Sequence, residues 1–196
     1  MQFDKNDKRV LLAFCKIASC CSSKSDLTMS NIAKELGISR QALHHTYYTN
    51  IDEIVDALHF FVNEDPTKKL KAFVENGKSY NEDAFISFLA EELLPEFYDK
   101  KEYIHCLLND FTDSSWRNYL ENSYADIIKP YISTTKLKTN LDLDLLTKII
   151  VSEFIAVVSC WLKPNQPENY ATFSKNFIVF MHHSALDLLK TNDCTF

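Results

Sequence analysis

At 196 residues, with 46% hydrophobic and 13% aromatic side chains, the chain is long enough to bury a large core, as one domain or as a small domain fused to a larger one. Its two glycines and five prolines are too few for a sheet-rich fold with many tight turns, so we predict an all-α protein with short polar connections. The overall net charge of −6 argues against a protein that binds nucleic acid with most of its surface.

The charge is distributed unevenly along the chain. Residues 1–48 contain seven Lys or Arg and four acidic residues, whereas the remaining 148 residues contain fourteen basic and twenty-three acidic residues. A modestly basic end on an acidic body is typical of a module that meets DNA with one face only.

The cysteine and histidine patterns predict no metal site and no cofactor. The six cysteines lack the paired spacing of a zinc site, and the N-terminus lacks the apolar core of a signal peptide, so we expect a cytoplasmic protein with reduced thiols. His44–His45 and His182–His183 are neighbours and not the i, i+4 pair that places two ligands on one helix face. Cys20 and Cys21 are either a redox or metal sensor or small residues at a helix end, and their divergent directions on a helix favour the second interpretation.

The first predicted helix covers residues 4–20, and residues 28–48 (TMSNIAKELGISRQALHHTYY) then predict two short helices joined by a turn. Thr28 and Ser39 are good N-cap residues, and Gly37 stands where the first short helix must end in a left-handed residue. Two helix starts and one stop in this order predict a helix-turn-helix.

The apolar side chains of this stretch fall on the faces that two crossed helices press together. They are Ile32, Ala33, Leu36, Ile38, Ala42 and Leu43. The side chains left facing outward can reach phosphates and base edges, and they are Arg40, Gln41, His44 and His45. A helical hairpin inside a core is the alternative, but such a hairpin has no reason to present this donor-rich face.

Further helices are predicted from a fourth start near Ile51 onward. Pro66 is expected to end or kink the fourth helix; in the alternative, Leu70–Val74 continue the helix until Asn76–Gly77 breaks it. Helices follow over 82–98, 101–111, 114–132, 141–162 and 170–189, with Asp113 or Ser114 as a capping candidate.

The segment 141–162 is apolar nearly all the way round. Lys148, Glu153 and several hydroxyl side chains argue against a bilayer helix, so the segment must be covered by protein. Two apolar helices at 145–162 and 170–189 predict a homodimer through a four-helix interface, with Ile155 and Phe177 at the contact.

The helix-turn-helix resembles that of the TetR family of bacterial repressors. The residues that carry the resemblance are Leu27, Thr28, Ile32, Ala33, Leu36, Gly37, Ile38, Ser39 and Leu43. The resemblance implies a ligand-responsive transcriptional regulator, a repressor, that binds a palindromic operator on double-stranded DNA as a homodimer. It also implies a domain boundary near Asn50, with a DNA-binding domain over 1–50 and a larger effector-binding and dimerisation domain over 51–196. A typical member has a Lys shortly after the aromatic pair that closes the second short helix; here Tyr47 and Tyr48 are followed by Thr49 and Asn50, with one additional residue and no Lys.

Two sets of site residues follow from this resemblance and from the residue chemistry. For DNA, we predict base or backbone contacts by Arg40, Gln41, His44 and His45, phosphate contacts by Thr28, Ser39 and Tyr48, and Asn50 as a substitute anchor. Ala42 either touches a thymine methyl or packs internally. For an apolar or aromatic effector in the larger domain, the predicted lining is Phe61, Phe85, Phe88, Tyr103, His105, Trp116, Tyr119 and Phe154, with Asn109 or Ser115 as further polar groups.

Two other functions remain as alternatives. An enzyme is disfavoured because the sequence has no glycine-rich phosphate loop, no G-x-S-x-G motif and no spaced His/Glu metal set. A degenerate family member that acts through a protein partner, with weak or no DNA binding, is compatible with the absent Lys and the small positive charge of residues 1–48.

Overall fold

The computed structural model describes residues 3–20, 24–77, 79–108, 116–136, 140–164 and 166–189, which contain α-helices and no strand. The all-α prediction is confirmed. The helices are α1 (Lys5–Cys20), α2 (Met29–Leu36), α3 (Arg40–Thr46), α4 (Ile51–Asn76), α5 (Glu82–Phe88), α6 (Leu94–Asp99), α7 (Lys101–Leu107), α8 (Trp116–Ile132), α9 (Leu143–Leu162) and α10 (Tyr170–His182).

Helices α1, α2 and α3 form an N-terminal unit around a small apolar core. Leu11 and Phe14 on α1, Ile32 on α2 and Leu43 on α3 are fully buried there. Helix α1 also packs against α4 and α7, so the same helix that supports α2 touches the larger part of the molecule. The N-terminal unit is therefore joined to the rest of the chain through side-chain packing as well as through the backbone.

Helix α4 passes through Pro66, where the sequence predicted an end or a kink. It continues to Asn76, so the alternative of a helix that passes the proline and stops at Asn76–Gly77 is the one observed, and the proline side chain is buried. A proline removes one backbone hydrogen bond, to the carbonyl four residues earlier, but packing of α4 against α8 and α6 compensates for a local loss of this kind. On the exposed side, Lys69 of α4 forms ion pairs with Glu92 and Glu96.

The remaining predicted helices are present with different ends. The predicted helix over 82–98 is α5 and α6 joined by a π-helical turn, Leu89–Leu93. Helix α10 ends at His182 and not at 189, and a 3₁₀ turn, Asp187–Leu189, follows it. Residues 109–115 lie outside the described residues, together with the capping candidates Asp113 and Ser114, and so does Cys21.

Among the described residues, helix α9 is covered on one side only. It packs along α8 and buries Val151, Phe154 and Ile155, whereas Leu145 and Ile149 on its other side are nearly half exposed. By length and composition alone α9 could cross a membrane, a test that the core helix of a globular protein also passes. Leu145 and Ile149 therefore form an apolar surface that the described residues leave partly exposed.

Candidate functional site

Local chemistry fixes the turn between α2 and α3 as the sequence predicted. Gly37 adopts φ +72°, in the left-handed region, and its N–H donates to the carbonyl of Lys34 while the N–H of Ile38 donates to that of Ala33. This pair of bonds is a Schellman motif, which ends α2 within one residue. Thr28 and Ser39 are the N-caps of α2 and α3, and their hydroxyl oxygens accept from the N–H groups three residues on, at 3.2 and 3.0 Å.

Helix α3 is exposed along most of its surface. Leu43 is its one buried residue, and Arg40, Gln41, Ala42, His44 and His45 are all exposed. The apolar prediction for this region is therefore wrong at two positions, since Ile38 and Ala42 face solvent while Ile32, Ala33 and Leu43 are buried. The exposure of Ala42 leaves its methyl group available for a contact with another molecule.

The charge on this face is positive or neutral. Helix α3 contains no acidic residue, and the rings of His44 and His45 meet edge to face with centroids 5.1 Å apart. A carboxylate that interacts with His44 is that of Glu53 on α4. Apart from this neighbour on α4, the exposed face of α3 consists of hydrogen-bond donors and contains no carboxylate of its own, which suits contact with phosphates and base edges.

The structure corrects the prediction for Tyr48. The residue is 5% exposed, and its hydroxyl is buried without a hydrogen-bond partner among the described residues. Burial, with Asp7 and Asp4 nearby, raises the pKa of Tyr48 to about 12. The side chain lies in the core near the start of α1, so in this conformation it does not reach a phosphate.

Asn50 caps α4 instead of standing free. Its side-chain oxygen accepts from the N–H of Glu53 at 2.9 Å, and the carboxylate of Glu53 in turn accepts from the N–H and the hydroxyl of Thr49. The bond from the Thr49 hydroxyl is the largest of the effects that hold the pKa of Glu53 below its ordinary value. Asn50 is itself exposed, and its predicted role as an anchor stays a prediction.

The residues predicted to line an effector pocket fall into separate groups. Phe61 and Tyr103 meet edge to face at 4.9 Å, and the ammonium groups of Lys8 and Lys100 lie over the Phe61 ring. Phe85 and Phe88 pack with Phe73 at the far end of α4, and Phe154 packs with Phe97 and Phe177. Phe85 and Phe154 lie in the core, and Phe61, Phe88 and Tyr103 pack against it partly buried.

The other predicted effector residues are also dispersed. Trp116 is 4% exposed and its indole N–H has no partner among the described residues, whereas Tyr119 is 44% exposed and stacks on His59. Phe85 and Phe154 share a void of about 20 Å³, which has room for one water molecule and not for an organic ligand. Asn109 and Ser115 lie outside the described residues.

A much larger space lies between the N-terminal unit and the rest of the molecule. This junction cleft has a volume of about 670 Å³ and is lined by α1, the end of α2, α7 and the residues around the end of α9. Its buried floor consists of Ala13, Cys15, Cys106 and Leu162, and charged side chains at its rim include Arg9, Lys16, Glu35, Lys101 and Glu102. Of the predicted effector residues, only His105 lines it.

The two cysteines on the floor are buried free thiols that contact each other. The thiols of Cys15 on α1 and Cys106 on α7 share a hydrogen bond, and this contact together with burial raises the pKa of Cys15 far above the physiological range. A neutral buried thiol behaves as a small hydrophobic group. The cleft cannot be recognised from neighbouring residues, because its walls come from residues about ninety positions apart. Its one local sign is Leu12, an apolar side chain that lies outside the buried side of α1.

No family model and no curated protein matches the chain. Two solved structures are similar to it. The TetR family transcriptional regulator PfmR from Thermus thermophilus is 15% identical with a TM-score of 0.58, over 88% of this chain and 96% of that one. The TetR family repressor AlkX from Dietzia sp. strain DQ12-45-1b, implicated in biodegradation of n-alkanes, is 16% identical with a TM-score of 0.36, over 93% of this chain and 97% of that one. The first of these likenesses shows a shared fold.

Proposed function

We propose that this chain, which has the fold of TetR family transcriptional regulators, is a ligand-responsive regulator that binds a palindromic operator as a homodimer and represses transcription in the cytoplasm. The observation that carries the proposal is the face of α3. It presents Arg40, Gln41, His44 and His45 to solvent on a helix-turn-helix whose caps and turn are complete.

The chemistry of α3 matches what a recognition helix needs in the major groove. An arginine pairs with guanine through two hydrogen bonds, and a glutamine pairs with adenine in the same way. Arg40 and Gln41 lie in the first turn of α3, the part of a recognition helix that contacts base edges. His44 and His45 lie one turn later, where backbone phosphates pass.

Exposed apolar side chains on α9 and α10 support the dimer. Leu145 and Ile149 on α9 and Val179 and Phe180 on α10 are each 40–49% exposed. Two-fold pairing through these helices would bring together two copies of α3. Operator half-sites are about 34 Å apart, one turn of duplex, which is the separation that the dimer must provide.

Selection of DNA from random duplexes by the purified chain tests the proposal. We expect an enriched sequence with two-fold symmetry, and an affinity that falls steeply with salt because phosphate contacts release counterions. If no duplex is enriched, or if binding does not depend on salt, the chain acts through a protein partner instead.

A further inference from the structure

We infer that the junction cleft is a binding site for an amphipathic organic anion, an apolar molecule of drug-like size that carries one acidic group. This inference rests on the proposed function for its regulatory meaning but not for the binding itself. At about 670 Å³ the cleft falls within the size range of small-molecule sites, unlike the void beside Phe85 and Phe154.

The floor of the cleft selects for an apolar body. Ala13 and Leu162 are buried there, and so are the free thiols of Cys15 and Cys106, which share a hydrogen bond. A charged group placed against this floor would lose its hydration without gaining a partner, which is costly. The acidic group of a ligand therefore has to stay at the rim.

The rim favours a negative charge over a positive one. Lys16 and Glu35 neutralise each other in an ion pair between α1 and α2. Among the described residues Arg9 has no ion pair, and Lys101 lies 4.4 Å from the Tyr98 ring with no carboxylate within ion-pair distance. Among the described residues, Glu102 is the one rim carboxylate that forms no ion pair. The rim therefore has two cations, Arg9 and Lys101, and one carboxylate, Glu102, that are not neutralised by an ion pair.

The position of the cleft links its occupancy to DNA binding. One wall includes Leu36, the last residue of α2, directly before the Gly37 turn into α3. The opposite wall belongs to α7 and to Pro164 and Pro167 after α9. A molecule that touches both walls fixes the angle of the helix-turn-helix relative to the larger part of the chain, so its binding changes the affinity of the protein for the operator. By linkage, operator binding changes the affinity of the protein for that molecule by the same factor.

The test uses two dyes that differ in one acidic group, anilinonaphthalene sulfonate and the uncharged phenylnaphthylamine, titrated by fluorescence against the full chain without DNA. Arg9→Gln should weaken binding of the sulfonate about tenfold and leave the uncharged dye within about twofold, because only the first loses a charge-assisted hydrogen bond. Ala13→Met, which fills the floor, should weaken both dyes. Arg117→Gln, an exposed arginine on α8 away from the cleft, is the matched control and should change neither.

Two results would overturn the inference. One is an unchanged affinity for the sulfonate in Arg9→Gln, which remains informative even if Ala13→Met does not fold. The other is an equal loss in Arg9→Gln and Arg117→Gln. Because the dye titrations contain no DNA, their failure leaves the proposed DNA-binding function standing, and a failure of operator selection leaves the cleft site standing.

Discussion

The proposed operator recognition is expected to depend most on the side chains of Arg40 and Gln41. Arg40→Ala and Gln41→Ala should each weaken binding to the selected duplex by about 1–3 kcal/mol, because each loses paired hydrogen bonds to one base. His44→Ala should weaken selected and unrelated duplexes more evenly, since a phosphate contact carries no sequence information. Equilibrium titrations with the selected site and single-base variants measure this, with Arg117→Ala as the control. Unchanged binding in all three α3 variants would remove this helix from the major groove.

Position 37 requires glycine because of its backbone conformation and not because of crowding by neighbouring atoms. A Cβ at this position would meet nothing within 4 Å, but φ +72° is strained for any residue with a Cβ. Gly37→Ala should therefore lower the free energy of unfolding by about 1–2 kcal/mol, and Gly37→Asn by less, because asparagine tolerates the left-handed region.

Gly77→Ala provides the contrast, since its added Cβ would lie 2.7 Å from a ring carbon of Tyr131 at an ordinary φ. Urea titrations of the three variants separate the two causes. If Gly37→Asn costs as much as Gly37→Ala, the backbone explanation is wrong.

One ion pair joins α4 to the start of α7. Lys100 is 9% exposed, its ammonium lies 2.9 Å from Asp65, and this bond is the main reason that the pKa of Asp65 is below its ordinary value. Asp65→Asn leaves the buried ammonium without its carboxylate. We expect a loss of about 1 kcal/mol at neutral pH, at the low end for an unpaired buried charge because the carboxylate side is half exposed and screened by solvent.

The pH dependence of this loss has a definite sign. A carboxyl group whose pKa is lowered by folding stabilises the folded state at any pH above the ordinary carboxyl pKa. This stabilisation is lost as the pH falls through the lowered pKa of the folded state. The difference between the parent and Asp65→Asn should therefore shrink on acidification below the usual aspartate range. Urea titrations across that range measure it, and a Lys100→Met background, in which no ammonium is left unpaired, should abolish it. A difference that is constant with pH would contradict the assignment.

Assembly of two chains is predicted to use the side of α9 and α10 that the described residues leave exposed. Ile149→Asp and Val179→Asp should give folded monomers in sedimentation equilibrium at micromolar concentration, since a charge opposes burial in an apolar interface. Ile155→Asp is the informative control. The sequence placed Ile155 and Phe177 at the dimer contact, but this placement is wrong, because they are only 3% and 0% exposed within one chain. Ile155→Asp should therefore unfold the protein. A monomeric parent chain under the same conditions would contradict the dimer.

In the molecule as a whole, the helix-turn-helix is the part whose structure could be predicted from neighbouring residues alone. A cap needs one hydroxyl and an N–H three residues away, and a left-handed stop needs one glycine, so Thr28, Ser39 and Gly37 could be interpreted without tertiary contacts. The exposed face of α3 follows from the same periodicity. The order and approximate position of the later helices were also predictable, because apolar periodicity extends over many residues.

Tertiary structure decided what these helices enclose. Tyr48 has the chemistry of a phosphate contact but is buried near the start of α1, and Pro66 has the chemistry of a helix end but lies in a helix stabilised by packing. The aromatic residues predicted to bind an effector lie in separate parts of the structure, so the number of aromatic residues in the sequence did not indicate a common pocket.

The junction cleft shows the physical reason. Cys15 and Cys106 are ninety-one residues apart and meet only because α1 packs against α7. Sequence periodicity specifies which side of a helix is apolar, because that depends on neighbours within a few residues. Which two apolar sides meet, and how much space remains between them, depends on the packing of the whole chain.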